Sequence, residues 1–170
     1  MKKLLVPLLF LLLSTNINAQ SWSQKGLDID GVDPFDLSGW SVSSNWNGLS
    51  VVIGEPQNDS TGVVRVFEWL SGAWVQKGAN IVGLDTNDFY GYSVSMDSIG
   101  NTVVISAPYA GSNRGYVRVY NWNGSGWFQV GVDISGEAQG DNSGHSVSIC
   151  SDGNTIAIGA PSNNENGTEA

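Results

Sequence analysis

Gly91-Tyr92-Ser93-Val94-Ser95, then a short polar turn, then Gly100-Asn101-Thr102-Val103-Val104-Ile105 and a closing Ala107-Pro108, is a pattern the chain writes three times. Upstream it reads Gly39-Trp40-Ser41-Val42-Ser43, Gly48, Val51-Val52-Ile53-Gly54 and Glu55-Pro56. Downstream it reads Gly144-His145-Ser146-Val147-Ser148, Gly153-Asn154-Thr155-Ile156-Ala157-Ile158-Gly159 and Ala160-Pro161. The opening glycines are 52 and 53 residues apart. A fixed period of that size marks an array of supersecondary units, and it governs how every other residue is read.

Four strands are expected in each unit. The first is the alternating Gly39–Ser44, whose apolar and polar residues take opposite faces. A turn of four residues ending in Gly48, Gly100 or Gly153 reverses the chain, and a glycine there suits positive φ. The second strand is the β-branched run Val51–Ile53, stopped by Pro56, because proline donates nothing to a sheet ladder. The third is Val63–Trp69, matched by Tyr116–Trp122, and the fourth is Trp74–Ile81, matched by Trp127–Ile134. Length differs between units by one residue, in the loop after the second strand. Trp22-Ser23-Gln24-Lys25-Gly26 is a further copy of the fourth-strand motif, so residues 20–38 are expected to hold the fourth strand of a preceding or closing unit.

The predicted organisation is therefore all-β: a propeller-type array of four-stranded antiparallel blades, incomplete as it stands. It divides into repeats at 39–90 and 91–143 and the first half of a third at 144–170, which stops where the third strand is due. Four strands in about 50 residues is the size of a propeller blade, and closed propellers typically use about 4–8 of them. Further blades of the same chain are expected on that ground.

Residues 1–19 carry Lys2 and Lys3, an apolar Leu4–Leu13 and a polar exit to Ala19, the layout of a secretory signal peptide. The apolar run is half the roughly 20 residues a spanning helix needs. The chain is expected to be secreted or displayed on the cell surface, without membrane insertion once the signal is removed. After residue 19 there remain five basic residues (Lys25, Arg65, Lys77, Arg114, Arg118) against sixteen acidic ones. That balance repels nucleic acid, which is bound by a clustered basic face. Cys150 is the single cysteine, so no internal disulfide forms and the core alone must hold the fold.

At the Gly-Tyr-Ser-Val-Ser and Val-Ile-Ser-Ala-Pro motifs, and most closely at Ile158-Gly159-Ala160-Pro161, the sequence resembles FG-GAP repeats. These build the β-propeller of integrin α subunits and of many secreted bacterial surface proteins. The resemblance runs over residues 22–161, with Trp40, Tyr92 and His145 standing where the family has phenylalanine. It implies a propeller used for extracellular adhesion or ligand binding, with a protein or glycan as partner. In the family an aspartate-rich calcium loop often joins the first two strands; here those loops hold no acid, Asp97 and Asp152.

A different acid recurs in register. Asp36, Asp88 and Asp141 each stand three residues before the motif glycine, near Asp33, Asp85 and Glu137. One reading is an Asx-turn capping backbone N–H groups. The other is a calcium site at Asp85-Thr86-Asn87-Asp88, with Asp85 and Asp88 as ligands and the remaining oxygens of a six- to eight-fold shell still to be found. Arg65 and Arg118 sit among aromatic residues of the third strand, placed either for cation–π stacking between units or to grip a carboxylate or a sugar. His145 fills a slot that is Trp40 and Tyr92 elsewhere, which makes it a packing ring. Trp74 and Trp127 read as core.

No catalytic residue is assigned. Cys150 has no activating partner at motif spacing, and the serine-elbow, phosphate-loop and histidine-cluster motifs are absent from the sequence. The reading is a non-catalytic adhesion or recognition segment. Its rivals are a propeller enzyme acting on polysaccharide, for which the non-repeated acids Glu55, Asp59 and Glu165 are the candidates, and a structural spacer.

Overall fold

The computed structural model describes residues 21–164. The signal segment at 1–19 and the candidate acid Glu165 lie outside the described residues. Among those described, no helix is long and apolar enough to cross a membrane.

The chain is all-β and antiparallel. The first sheet is formed by β1 (Ser41–Ser44), β2 (Ser50–Glu55), β3 (Val63–Leu70), β4 (Ala73–Gln76) and β5 (Ile81–Val82), in the order β1-β2-β3-β4 with β5 also paired to β3. The second follows the same course through β6 (Val94–Met96), β7 (Thr102–Ala107), β8 (Tyr116–Trp122) and β9 (Trp127–Ser135). β10 (Ser146–Ile149) and β11 (Ile156–Gly159) form a two-stranded third sheet. None of the three sheets closes on itself.

Corresponding residues share registers. Val42 faces Ile53, Val94 faces Ile105 and Val147 faces Ile158 in the first two strands of each sheet. The reversing glycines have positive φ, at 64° for Gly48, 77° for Gly100 and 75° for Gly153. The residue that opens each turn caps it. Asn45 Oδ1 accepts from the Leu49 and Ser50 amides at 3.0 Å each, and Asp97 Oδ1 from Gly100, Asn101 and Thr102 at 2.8, 2.9 and 3.1 Å. In the third turn Cys150 Sγ takes this place, accepting from the Thr155 amide at 3.0 Å. Asp97 is thus committed to the turn.

The fourth strand departs from expectation in two places. In the first sheet it breaks after Gln76: the Lys77 amide still donates to the Val66 carbonyl at 2.8 Å, and Gly78-Ala79-Asn80 leaves the ladder before β5 resumes. In the second sheet β9 is continuous but carries a register shift opposite Val117–Val119. Residues 21–38 hold no strand, and Trp22 is exposed. The fourth strands of both sheets gain their order from a third strand beside them; no such strand flanks Trp22 among the described residues.

The core lies between the first two sheets. Val52, Val64, Val66 and Ile81 meet Val94, Met96, Val103, Ile105 and Tyr116 there. Each such side chain contributes about 1.5–3 kcal/mol on burial. The motif serines join the inner strands: the Met96 amide donates to Ser43 Oγ at 3.2 Å, and the Val147 and Ile149 amides donate to Ser93 and Ser95 Oγ at 3.1 Å. The turns are joined as well, Trp46 N–H to the Ser98 carbonyl at 3.2 Å and Ser98 N–H to the Ser151 carbonyl at 3.1 Å.

A lysine clamp joins the outer parts. Lys77, buried, donates from Nζ to the Gly100 carbonyl at 3.0 Å and to Asn101 Oδ1 at 2.9 Å, pairs with Glu68, and lies over the Trp122 and Trp127 rings. Trp127 Nε1 donates in turn to the Lys77 carbonyl at 2.8 Å. Lys25 repeats this one sheet earlier, over Trp69 and Trp74, with Trp74 Nε1 on its carbonyl at 2.9 Å. Trp127 is half-buried and packs against the core as expected, whereas Trp74, also half-buried, serves as the docking surface for Lys25.

Candidate functional site

The residues before each first strand make a loop with two left-handed positions besides the motif glycine. They are Phe35 and Leu37 in the first loop, Asn87 and Phe89 in the second, and Gly140 and Asn142 in the third. Glycine and asparagine take positive φ readily, whereas bulky side chains there are strained and need surrounding structure to hold them. Leu37 at φ 58° and Phe89 at φ 56° are such residues, and both side chains line one cleft.

That cleft has a volume of about 270 Å³. Leu37 and Trp40 come from the first loop and motif, and Pro56 and Gln57 from the β2–β3 connection. Phe89, Tyr92 and Tyr109 come from their counterparts in the second unit. The rings brace one another: Trp40 and Tyr92 have centroids 5.6 Å apart, Tyr92 and Tyr109 5.5 Å, Phe89 and Tyr109 5.2 Å. His145 continues the row, 5.3 Å from Tyr92, with its Nε2 3.4 Å from the Tyr92 hydroxyl. Trp40 is 53% exposed and Tyr109 37%, so ring faces remain open to solvent. Burial holds the Tyr92 phenol above its ordinary range, and it stays a neutral donor. No charged side chain lines the cleft.

Larger hollows exist. One of about 400 Å³, lined by Ile29, Val42, Val51 and Ile53, is the first sheet's counterpart of the surface that the second sheet turns to its neighbour. Another of about 380 Å³, around Arg114, Tyr116 and Gln139, contains one ring among loop residues. The aromatic cleft alone combines converging rings, strained backbone and a position at the junction of two units.

The recurring acids are placed less uniformly than their spacing predicts. Asp36 Oδ2 accepts from the Asp33 amide at 2.7 Å, and Asp141 Oδ2 from the Ala138 amide at 2.8 Å, which is the capping role. Asp88 is buried, and burial together with the Asp85 charge raises its carboxyl above the usual range. Asp85 itself is exposed. Among the described residues no three acid, histidine or cysteine side chains converge as a metal site would require. Asp85 and Asp88 alone fall well short of calcium's six to eight oxygens.

The arginines stack on rings of their own strand, Arg118 also on Tyr90 at the end of the first repeat (5.9 Å), and both grip carboxylates. Arg65 lies over Phe67 and pairs with Glu55, its Nε donating to Oε1 at 2.6 Å. Arg118 lies 4.5 Å from the Tyr116 ring centre and donates to both Asp133 oxygens at 2.7 Å. Glu55, an acid weighed for catalysis, is thus a buried structural counter-ion, and Asp59 is exposed away from it in the β2–β3 connection.

Sequence reasoning singled out Trp40, Tyr92 and His145 through their shared slot but missed Leu37, Phe89 and Tyr109. These stand where the copies differ, and an aromatic or apolar residue in an otherwise polar loop was the available signal. Comparison of the chain with protein-family models and with curated proteins finds no match.

Proposed function

We propose that this chain is a run of FG-GAP-like propeller blades, exported from the cell, that recognises an extracellular protein or glycan without catalysing a reaction. The observation that carries the reading is the open cleft of Trp40, Tyr92, Tyr109 and Phe89 between two successive units. Partly exposed, mutually braced rings are the anchors that recognition surfaces use, because they bring large contact area with little side-chain entropy to lose. The repeated serine and lysine contacts between sheets support the blade reading. The chemistry in reach supports recognition over turnover, since Glu55 and Arg65 are committed to each other.

The test is binding of the full chain to immobilised extracellular matrix proteins and polysaccharides, beside a Trp40→Ala/Tyr109→Ala variant that melts at the same temperature. Saturable binding lost in the variant supports the reading. Binding to nothing points to a spacer, and release of reducing sugar from a polysaccharide points to an enzyme.

A further inference from the structure

We infer that the ligand of the aromatic cleft is an extended, proline-containing peptide segment; this step rests on the recognition reading above. Charge decides first. The cleft offers no charged side chain, in a chain with sixteen acidic residues against seven basic ones. A charged ligand would lose hydration there and gain no counter-ion, so the occupant is neutral.

Hydrogen-bonding capacity decides between the two neutral classes. The polar groups at hand are the Trp40 indole, the Tyr92 and Tyr109 phenols and the Gln57 amide. They are few: the indole only donates, the Tyr109 hydroxyl and the Gln57 amide each donate and accept, and the Tyr92 hydroxyl already meets His145 Nε2. A sugar ring presents several hydroxyls that each need both donor and acceptor, and leaving one buried and unpaired costs about 1–3 kcal/mol. Aromatic packing returns only about 0.5–1.5 kcal/mol per ring pair beyond its buried area. Proline has no N–H, so in the cleft it needs donors alone, and its ring is wholly apolar.

The shape agrees. The Trp40–Tyr92–His145 row advances in steps of 5.6 and 5.3 Å. A polyproline II segment rises about 3.1 Å per residue with its carbonyls unpaired, so about three to four residues span the row. Such segments dock into aromatic-lined grooves and lose little entropy, because their conformation exists before binding. The host is likewise set in advance, with Leu37 and Phe89 held at left-handed φ and Tyr92 wedged between Tyr109 and His145.

The experiment titrates the full chain into a fluorescently labelled oligoproline of about ten residues and, in parallel, into labelled neutral glucose- and galactose-based oligosaccharides. Saturable oligoproline binding is expected, weakened about tenfold or more by Trp40→Ala, the loss typical of an anchoring aromatic. Trp46→Ala, on an exposed ring outside the cleft, leaves it unchanged. Melting temperatures are read first, and Tyr109→Ala is a second probe should Trp40→Ala unfold. Oligoproline binding that survives both cleft variants overturns the inference. Saccharide binding that requires Trp40, without oligoproline binding, overturns it and leaves the recognition reading standing. Binding of neither probe overturns the inference; the recognition reading then fails only if the matrix-protein and polysaccharide panel is also silent.

Discussion

Arg65 in the first unit and Arg118 in the second hold one register position, opposite Ile53 and Ile105 on the adjoining strand, yet they are neutralised from opposite sides. Arg65 meets Glu55 at the end of β2, where the second unit has Ala107; Arg118 meets Asp133 on β9, where the first has Asn80. Glu55 is completely buried and shared with Asn58 Nδ2 at 2.7 Å and Ser38 Oγ at 2.9 Å, and Asn58 goes on to Asp36. Asp133 keeps a side-chain exposure of 36% and a single further donor, Gln129. What recurs is the requirement that a buried guanidinium be paired, and two positions in the sheet can meet it.

The comparison is broken most severely at its sealed end. Glu55→Ala strands Arg65 in the interior and is expected to lower stability by about 3–5 kcal/mol in urea unfolding; a loss under about 1 kcal/mol would show that water reaches the guanidinium. The sharper test moves the second unit's solution into the first. Asn80 already accepts from Gln76 at 2.9 Å, as Asp133 does from Gln129 at 2.8 Å. Glu55→Ala/Asn80→Asp should therefore recover about half of the loss. No recovery would mean that the break between β4 and β5 holds residue 80 out of reach.

Asp133→Ala should cost less, about 1–2 kcal/mol, because solvent screens the pair and Arg118 keeps its place over Tyr116. Its hydrogen bond to Arg118 holds the Asp133 carboxyl below its ordinary value of 3.8. A depressed folded value means that this stability is present above 3.8 and disappears as the pH falls through the lower folded value. The difference between wild type and variant should accordingly shrink in acid; a constant difference would assign the effect to packing.

The smallest change concerns Asp88, whose carboxyl is raised by burial and by Asp85. The sign is opposite: stability is fuller below 3.8 and falls as the pH rises through the raised folded value. Asp88→Asn is thus expected to raise the melting temperature at pH 7, by less than about 1 kcal/mol in stability, and to change nothing at pH 3. Millimolar calcium should leave the wild-type melting temperature where it is. A calcium-dependent rise abolished by Asp88→Ala would restore Asp85 and Asp88 as ligands.

The period made the strands legible. Tyr116–Trp122 forms β8 with the boundaries the pattern assigns, because its alternation of valines with larger side chains serves two covered faces. Repetition also hid things. Glu55 and Asp133 escaped notice as arginine partners because neither recurs at its own position. The break after Gln76 was invisible because it follows from the Lys77 side chain reaching Gly100 and Asn101, more than twenty residues ahead. The aromatic cleft was half legible: its motif rings share a slot, whereas Leu37, Phe89 and Tyr109 come from loops that only the packing of two sheets brings together.

The lysine clamp gives the row of units a direction. Apart from Glu68, every group that settles the Lys77 ammonium lies downstream: Gly100, Asn101, Trp122 and Trp127. Lys25 likewise reaches forward, to Gly48, Trp69 and Trp74. Each unit thus presents an edge whose lysine is completed by groups that lie later in the sequence. At Val130, where the lysine is replaced, that forward reach of charge stops.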